Sequence, residues 1–153
     1  TVVAAGAKAI LDVAKTLEVL ETQGVPVIAY GQDSFPAFWS RGSKLKAPLR
    51  MDNPARIAAA HRMRAAIGLT GGQLVANPIP SEAEIPSAEL APIIATAQAD
   101  SQRAGITGKA VTPYLLQRIF ELTEGRSLEA NIALVRNNAR LAAQIALELG
   151  KKP

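Results

Sequence analysis

The chain opens on Thr1-Val2-Val3-Ala4-Ala5, an unbroken run of small and β-branched residues that reads as a buried strand. Gly6 breaks the run. From Ala7-Lys8 onward Ile10, Leu11, Ala14, Leu17, Val19 and Leu20 recur on or near one helical face, until Gly24 stops the pattern. Val25–Tyr30 is strand-like again, so residues 1–30 predict a β-α-β unit, which requires parallel strands with a helix packed on the sheet. A core strand as the first element also predicts that something belonging to the fold precedes it. Residues 31–51 show no period and carry Pro36, Gly42, Pro48 and the aromatic group Phe35, Phe38 and Trp39. Asp52 or Asn53 then caps a helix with Pro54 in its first turn, running to about Ile67. Gly71-Gly72 break the chain before a third strand, Gln73–Ala76, which ends at Asn77-Pro78-Ile79-Pro80.

Beyond that point the helical period dominates. Pro86-Ser87 opens a helix reaching about Arg103, with Gly105 as its stop. Lys109-Ala110-Val111 reads as a brief strand. Thr112 caps a further helix with Pro113 in its first turn, ending near Thr123. Ser127 caps the last helix, along which Ile132, Leu134, Val135, Leu141, Ile145 and Leu149 recur. The order β-α-β-α-β-α-(β)-α-α predicts an α/β fold: three layers, α/β/α, with a mainly parallel sheet and a helix-rich C-terminal part.

Composition narrows the class of function. Apolar residues make up 48% and charged residues 20%, ordinary globular usage, while aromatics are scarce at 4%. The absence of cysteine excludes disulfides, thiolate metal sites and a cysteine nucleophile, and fits a reducing compartment. The apolar runs are far short of a membrane span and no stretch reads as a signal peptide, so a cytoplasmic protein without membrane partners is expected. Seventeen Lys and Arg against 13 Asp and Glu give +4. These cations are scattered (Arg41, Lys44, Lys46 and Arg50 are the densest group), with no run of five like charges. That argues against a nucleic-acid arm and suits a small phosphorylated ligand.

Lys8 is the residue with the most chemical promise. On this pattern it starts a helix at the carboxyl edge of the sheet, where open α/β folds bind ligands. The positive end of a helix disfavours an ammonium and favours the neutral amine, the form that condenses with a sugar aldehyde. On local pattern alone a solvated surface lysine is the commoner outcome. Gly6 exposes backbone N–H groups that suit a phosphate or carboxylate, though Ala5-Gly6-Ala7-Lys8 lacks the spacing of a P-loop. Asn77 reads as an Asn-Pro turn or a polar site residue. Asn131, Asn137 and Asn138 sit in the last helix although Asn is a poor helix former, which points to a polar site or to packing roles. His61 stands alone, so a triad or metal site on it is not supported. The aromatic group at 35–39 reads as a loop anchor or subunit contact before a base-stacking platform. No carboxylate spacing marks an acid/base pair or a metal cage.

Longer words carry a resemblance. Val3-Ala4-Ala5-Gly6-Ala7-Lys8-Ala9-Ile10-Leu11-Asp12, Leu20-Glu21-Thr22-Gln23-Gly24-Val25-Pro26-Val27, Phe35-Pro36-Ala37-Phe38-Trp39-Ser40-Arg41, Leu74-Val75-Ala76-Asn77-Pro78-Ile79-Pro80 and Ala130-Asn131-Ile132-Ala133-Leu134-Val135 follow in order. With Gly108–Pro113 and Gly125–Leu128 they resemble the pseudouridine-5'-phosphate glycosidase family, also called indigoidine synthase A-like, from Thr1 to about Gly150. The resemblance implies reversible cleavage of the C–C glycosidic bond of pseudouridine 5'-phosphate to uracil and ribose 5-phosphate. It implies a Schiff base between Lys8 and C1' of the opened ribose, and a substrate contact from Asn131.

The same resemblance covers only the second half of the family's length, so residues 1–153 are expected to be the C-terminal half of one glycosidase domain. The glutamate proton donor, a phosphate-contacting lysine and the aspartates that bind Mn2+ and substrate would lie in the N-terminal half. No metal ligand is therefore expected in this chain, nor activity from it alone. The partners implied are a phosphorylated nucleoside, the missing N-terminal half and two further copies in a homotrimer, with loop 35–39 a candidate subunit contact. Rival readings are a Schiff-base lyase acting on another sugar phosphate and a non-catalytic basic binding module, the latter predicting salt-sensitive RNA binding.

Overall fold

The computed structural model describes residues 1–151. Four strands, β1 (Val2–Ala4), β2 (Val27–Tyr30), β3 (Leu49–Met51) and β4 (Leu74–Ala76), form one parallel sheet in the order β1-β4-β2-β3. Five helices surround it: α1 (Val13–Thr22), α2 (Pro54–Ala66), α3 (Ser87–Arg103), α4 (Val111–Leu122) and α5 (Arg126–Gly150). The crossover from β1 through α1 to β2 runs one way across the sheet, and that from β3 through α2 to β4 runs back. A single handedness of crossover then requires the two helices on opposite faces. That is the arrangement found. Val13, Leu17 and Leu20 of α1 pack with Val27, Ala76 and Phe35 on one face. On the other, Ile57 of α2 and Leu141 and Ile145 of α5 enclose Val75 with Val3, Tyr30 and Met51.

This is the expected three-layer architecture, and the helix-rich C-terminal part forms its own cluster. Leu90 and Ala97 of α3, Leu115 and Ile119 of α4, and Ala130 and Leu134 of α5 pack around Trp39, Ile79 and Ile85, beyond the carboxyl ends of the strands. The 25-residue α5 joins the two parts: its first half serves this cluster and its second half covers the sheet.

Several boundaries differ from the pattern reading. The first helix begins at Val13, not near Lys8, because Asp12 caps it by accepting from the Lys15 amide at 3.1 Å. Ala9 and Ile10, which scan as helix face, instead pack on the Trp39 cluster from within a loop. Strand β3 hides in the stretch read as irregular; it is three residues long, too short to show a period. Residues 108–110 form a 3-10 turn where a strand was expected, since Gly108 at φ 59° turns the chain. The last two helices start earlier than Thr112 and Ser127, after Ala110 and Gly125, neither of which provides a side-chain cap. The Asn53 cap, Pro54 at the start of α2 and the extent of α3 stand as expected.

Candidate active site at the carboxyl edge of the sheet

Three loops leave the carboxyl ends of β1, β2 and β4 and are stitched together there. Gly6, at φ 93°, passes directly beneath the Pro36 carbonyl; a Cβ at this position would sit 2.2 Å from that oxygen. The Phe38 amide donates to Ala5 O at 2.9 Å and the Asn77 amide to Ala4 O at 2.8 Å. Arg41 Nη1 donates to Ile79 O, and its backbone N–H to Glu84 Oε1, each at 2.7 Å. Ser40 Oγ donates to Ile85 O at 2.7 Å, which gives this buried hydroxyl a partner.

Lys8 lies in the first of these loops. Ala5 on one side is 2% exposed, and Ala9 and Ile10 on the other pack on the Trp39 cluster, while Lys8 itself is exposed. Its backbone carbonyl accepts from the Leu11 amide at 2.8 Å, closing a turn. The expectation that Lys8 starts a helix is corrected: α1 begins five residues later, and its dipole does not bear on the amine. What survives is the position at the sheet's carboxyl edge, on a loop pinned at both ends.

The asparagines of α5 all turn toward this edge. Asn131 Oδ1 accepts from Trp39 Nε1 at 2.9 Å, and because indole N–H is only a donor, this contact settles which way the amide points. Asn131 also lines an open cleft of about 420 Å3, whose wall includes Trp39, Leu116, Phe120 and Leu128. Asn138 Oδ1 accepts from Asn77 Nδ2 at 3.1 Å, and Asn137 Nδ2 donates to Pro78 O at 3.0 Å. Asn77, 4% exposed, is therefore a tied buried amide and not only a turn residue.

Lys8 is not among the residues lining that cleft, and no direct contact joins it to Asn131. The two are connected through the aromatic loop, Ala5 to Phe38 and Trp39 to Asn131. Phe35 and Trp39, at 0% and 1% exposure, are internal anchors, which removes them as subunit contacts. The pairing of Trp39 with Asn131 is the feature that sequence reading missed, although a buried indole N–H always demands an acceptor. His61 sits away from this edge, with Nδ1 3.5 Å from Thr1 Oγ1. Among the described residues no group of three His, Cys, Asp or Glu could hold a metal ion, and no helix is long and apolar enough to cross a membrane.

Comparison with known proteins places this arrangement. A family model described as indigoidine synthase A like protein matches residues 1–148. A pseudouridine-5'-phosphate glycosidase of Roseobacter denitrificans is 78% identical over 97% of this chain and 48% of its own length. One from Paracoccus denitrificans is 72% identical over 95% and 48%. Among solved structures, an indigoidine synthase A-like protein of Thermotoga maritima superposes with TM-score 0.87 at 36% identity, covering 97% of this chain and 49% of that one. The prealnumycin C-glycosynthase AlnA, in complex with ribulose 5-phosphate, gives TM-score 0.87 at 34% identity over 95% and 48%. The chain thus spans about half the length of the curated relatives it matches. That family match takes in the Lys8 loop and α5 as far as residue 148, and the chain belongs to the indigoidine synthase A-like family.

Proposed function

We propose that this chain supplies the amine and an orienting amide of a C–C glycosidase acting on pseudouridine 5'-phosphate, the activity named for relatives up to 78% identical. The reading rests on that likeness together with the placement of Lys8, exposed on a fixed loop at the ligand-binding edge of a parallel sheet. In the synthetic direction the Lys8 amine adds to the C1 aldehyde of open-chain ribose 5-phosphate and water leaves, giving an iminium. The uracil C5 carbon then attacks C1, forming the C–C bond, and gives up its proton. Closure of the ribose ring by its own hydroxyl displaces the amine. Cleavage is the reverse: C5 takes a proton as the C1'–C5 bond breaks, the amine nitrogen supplies the electrons, and hydrolysis of the iminium frees the sugar.

In this scheme Asn131 holds its Nδ2–H toward the cleft and donates to a substrate oxygen, with Trp39 fixing its orientation. Among the described residues no group of three His, Cys, Asp or Glu could hold Mn2+, so the roles assigned to this chain are those of the amine and the amide.

The test uses a full-length chain in which this sequence replaces the matched region of the R. denitrificans relative. Ribose 5-phosphate with borohydride should add a reduced sugar to the peptide bearing Lys8. Lys8→Ala should lower kcat at least ~10^3-fold, with stability changed by less than ~0.5 kcal/mol, as for an exposed side chain. An unlabelled Lys8, or turnover retained in the variant, would discard the mechanism. A second reading, a Schiff-base enzyme for another sugar phosphate, draws on the C-glycosynthase that holds ribulose 5-phosphate. Preferential trapping of ribulose over ribose 5-phosphate at Lys8 would select it.

A further inference from the structure

Helix α5 is apolar on two faces, and only one of them is covered. At about 100° per residue, Ser127, Leu141 and Ile145 lie within about 20° of Leu134, the middle of the buried face. Leu128, Ile132, Val135, Ala139, Ala142 and Ala146 lie between about 80° and 160° from it on the same scale. Leu128, Ile132 and Val135 are 50%, 45% and 61% exposed. A helix needing only its core contact carries one apolar stripe and is polar elsewhere. Glu129, Arg136, Arg140, Gln144 and Glu148 lie on the remaining side, which also carries exposed Leu147 near the end of the helix.

The second stripe has a definite place in the fold. Arg62 of α2 donates to the Glu148 backbone carbonyl at 2.9 Å, and Ile57 of α2 packs with Leu141 and Ile145, so α2 covers the buried face of α5 and not the outer stripe. Helix α5 also packs through Leu141 and Ile145 on Val3 of β1, a strand that pairs only with β4 and leaves its other edge open. Val2 N–H donates to Gln73 O and Ala4 O accepts from Asn77 N–H, so the alternation of a parallel ladder turns the Val3 N–H and C=O to the open side. This edge has none of the usual defences of a free strand: no charge, no proline, and Val2 62% exposed.

We infer that the open edge of β1 and the outer stripe of α5 are one docking surface. Its occupant is the half of the fold that the relatives carry outside the region matched here. That half extends the sheet at β1, lays an apolar helix face along α5 and presents a carboxylate to Arg136, one turn on from Ile132 at the margin of the stripe. The inference rests on the reading of the active unit as the full-length family enzyme. The relatives hold about as much chain again as this one, enough for an α/β segment of this size. Charge argues against a second copy: Arg136, at the margin of the stripe and the middle of the helix, is exposed and without an ion-pair partner among the described residues. Pairing two α5 helices about a two-fold axis there brings arginine onto arginine. Because the stripe begins at Leu128, on the wall of the Asn131 cleft, the same partner would close that cleft.

Co-expression of this chain with a tagged polypeptide comprising the unmatched half of the R. denitrificans relative tests the surface without substrate. The parent chain should co-purify, and Val3 amide exchange should slow at least ten-fold in the complex. Val135→Asp should lower recovery at least ten-fold, whereas Gln144→Asp, on the polar side of α5, should leave it unchanged. Equal recovery of Val135→Asp and parent would overturn the inference. So would failure of the parent to co-purify, or a parent chain that self-associates through this face and becomes monomeric in Val135→Asp. A complex that forms without sugar trapping at Lys8 leaves the surface standing and removes the catalytic reading. Full turnover in the Val135→Asp complex does the reverse.

Discussion

Gly6 is the position where one added methyl group should be felt most. It combines two separable costs. Its φ of 93° is outside the range L-residues adopt easily, and its backbone runs so close to Pro36 that a Cβ would stand 2.2 Å from the carbonyl oxygen and 3.1 Å from the carbonyl carbon. The left-handed conformation costs about 1–2 kcal/mol. Relief of the overlap requires the Pro36 carbonyl to retreat, yet Phe35 and Pro36 are fully buried and Phe38 is bonded to Ala5 O. Overpacking of this kind costs about 1–3 kcal/mol, so Gly6→Ala should lose about 2–5 kcal/mol in all. Gly24 provides the control: its φ is also positive, at 64°, but nothing lies within 4 Å of its would-be Cβ. Gly24→Ala should therefore show only the conformational cost of about 1–2 kcal/mol. Urea unfolding followed by far-UV circular dichroism measures both, the shift in midpoint at constant slope giving each difference. Two variants equal within ~0.5 kcal/mol would refute the close-approach argument. Because the same loop carries Lys8 and leads to Trp39, sugar trapping at Lys8 should fall in Gly6→Ala and not in Gly24→Ala.

Trp39→Phe removes the N–H that orients Asn131; it should raise KM more than it lowers kcat, and steady-state kinetics showing an unchanged KM would deny the orienting role. Asn138→Ala leaves buried Asn77 Nδ2 without its acceptor and should cost about 1–3 kcal/mol in denaturant unfolding, partly recovered in the Asn77→Ala, Asn138→Ala double variant. Acid should loosen the α3–α4 pair. The hydrogen bond from Arg118 holds the Asp100 and Glu121 carboxyls below their usual ranges, helped at Asp100 by the nearby Arg103 charge. Below the ordinary carboxylate range the unfolded chain binds more protons than the folded one. This contribution is thus complete above about pH 4.5 and disappears as pH falls through the depressed folded values. Thermal midpoints taken between neutral and strongly acidic pH should drop more steeply for the parent than for Arg118→Met; parallel curves would contradict it.

Much of the fold was legible because its signals are local. The Val-rich runs at 1–5 and 25–30, the Asn53-Pro54 start of α2 and the period of α3 each follow from backbone preference and solvent avoidance over a few residues. The failures are of one kind. Ile10 and Leu11 scan as helix, but hydrophobic spacing does not say which surface a residue meets, and Ile10 meets the Trp39 cluster. Strand β3, with two exposed residues and only Met51 half-buried, exists because β2 offers it a ladder.

The chain's own order of residues determined the α/β class, the parallel sheet, the family and the identity of Lys8 and Asn131 as candidates. These depend on propensity, periodicity and contiguous motifs, all of which are written along one dimension. Tertiary structure decided that Lys8 rides on a loop and not on a helix end, that Trp39 is buried as the partner of Asn131, and that α5 keeps a second apolar face uncovered. Residues 39 and 131 are brought together by packing across the whole chain. A hydrogen bond between them depends on angstrom-scale placement that no local preference encodes.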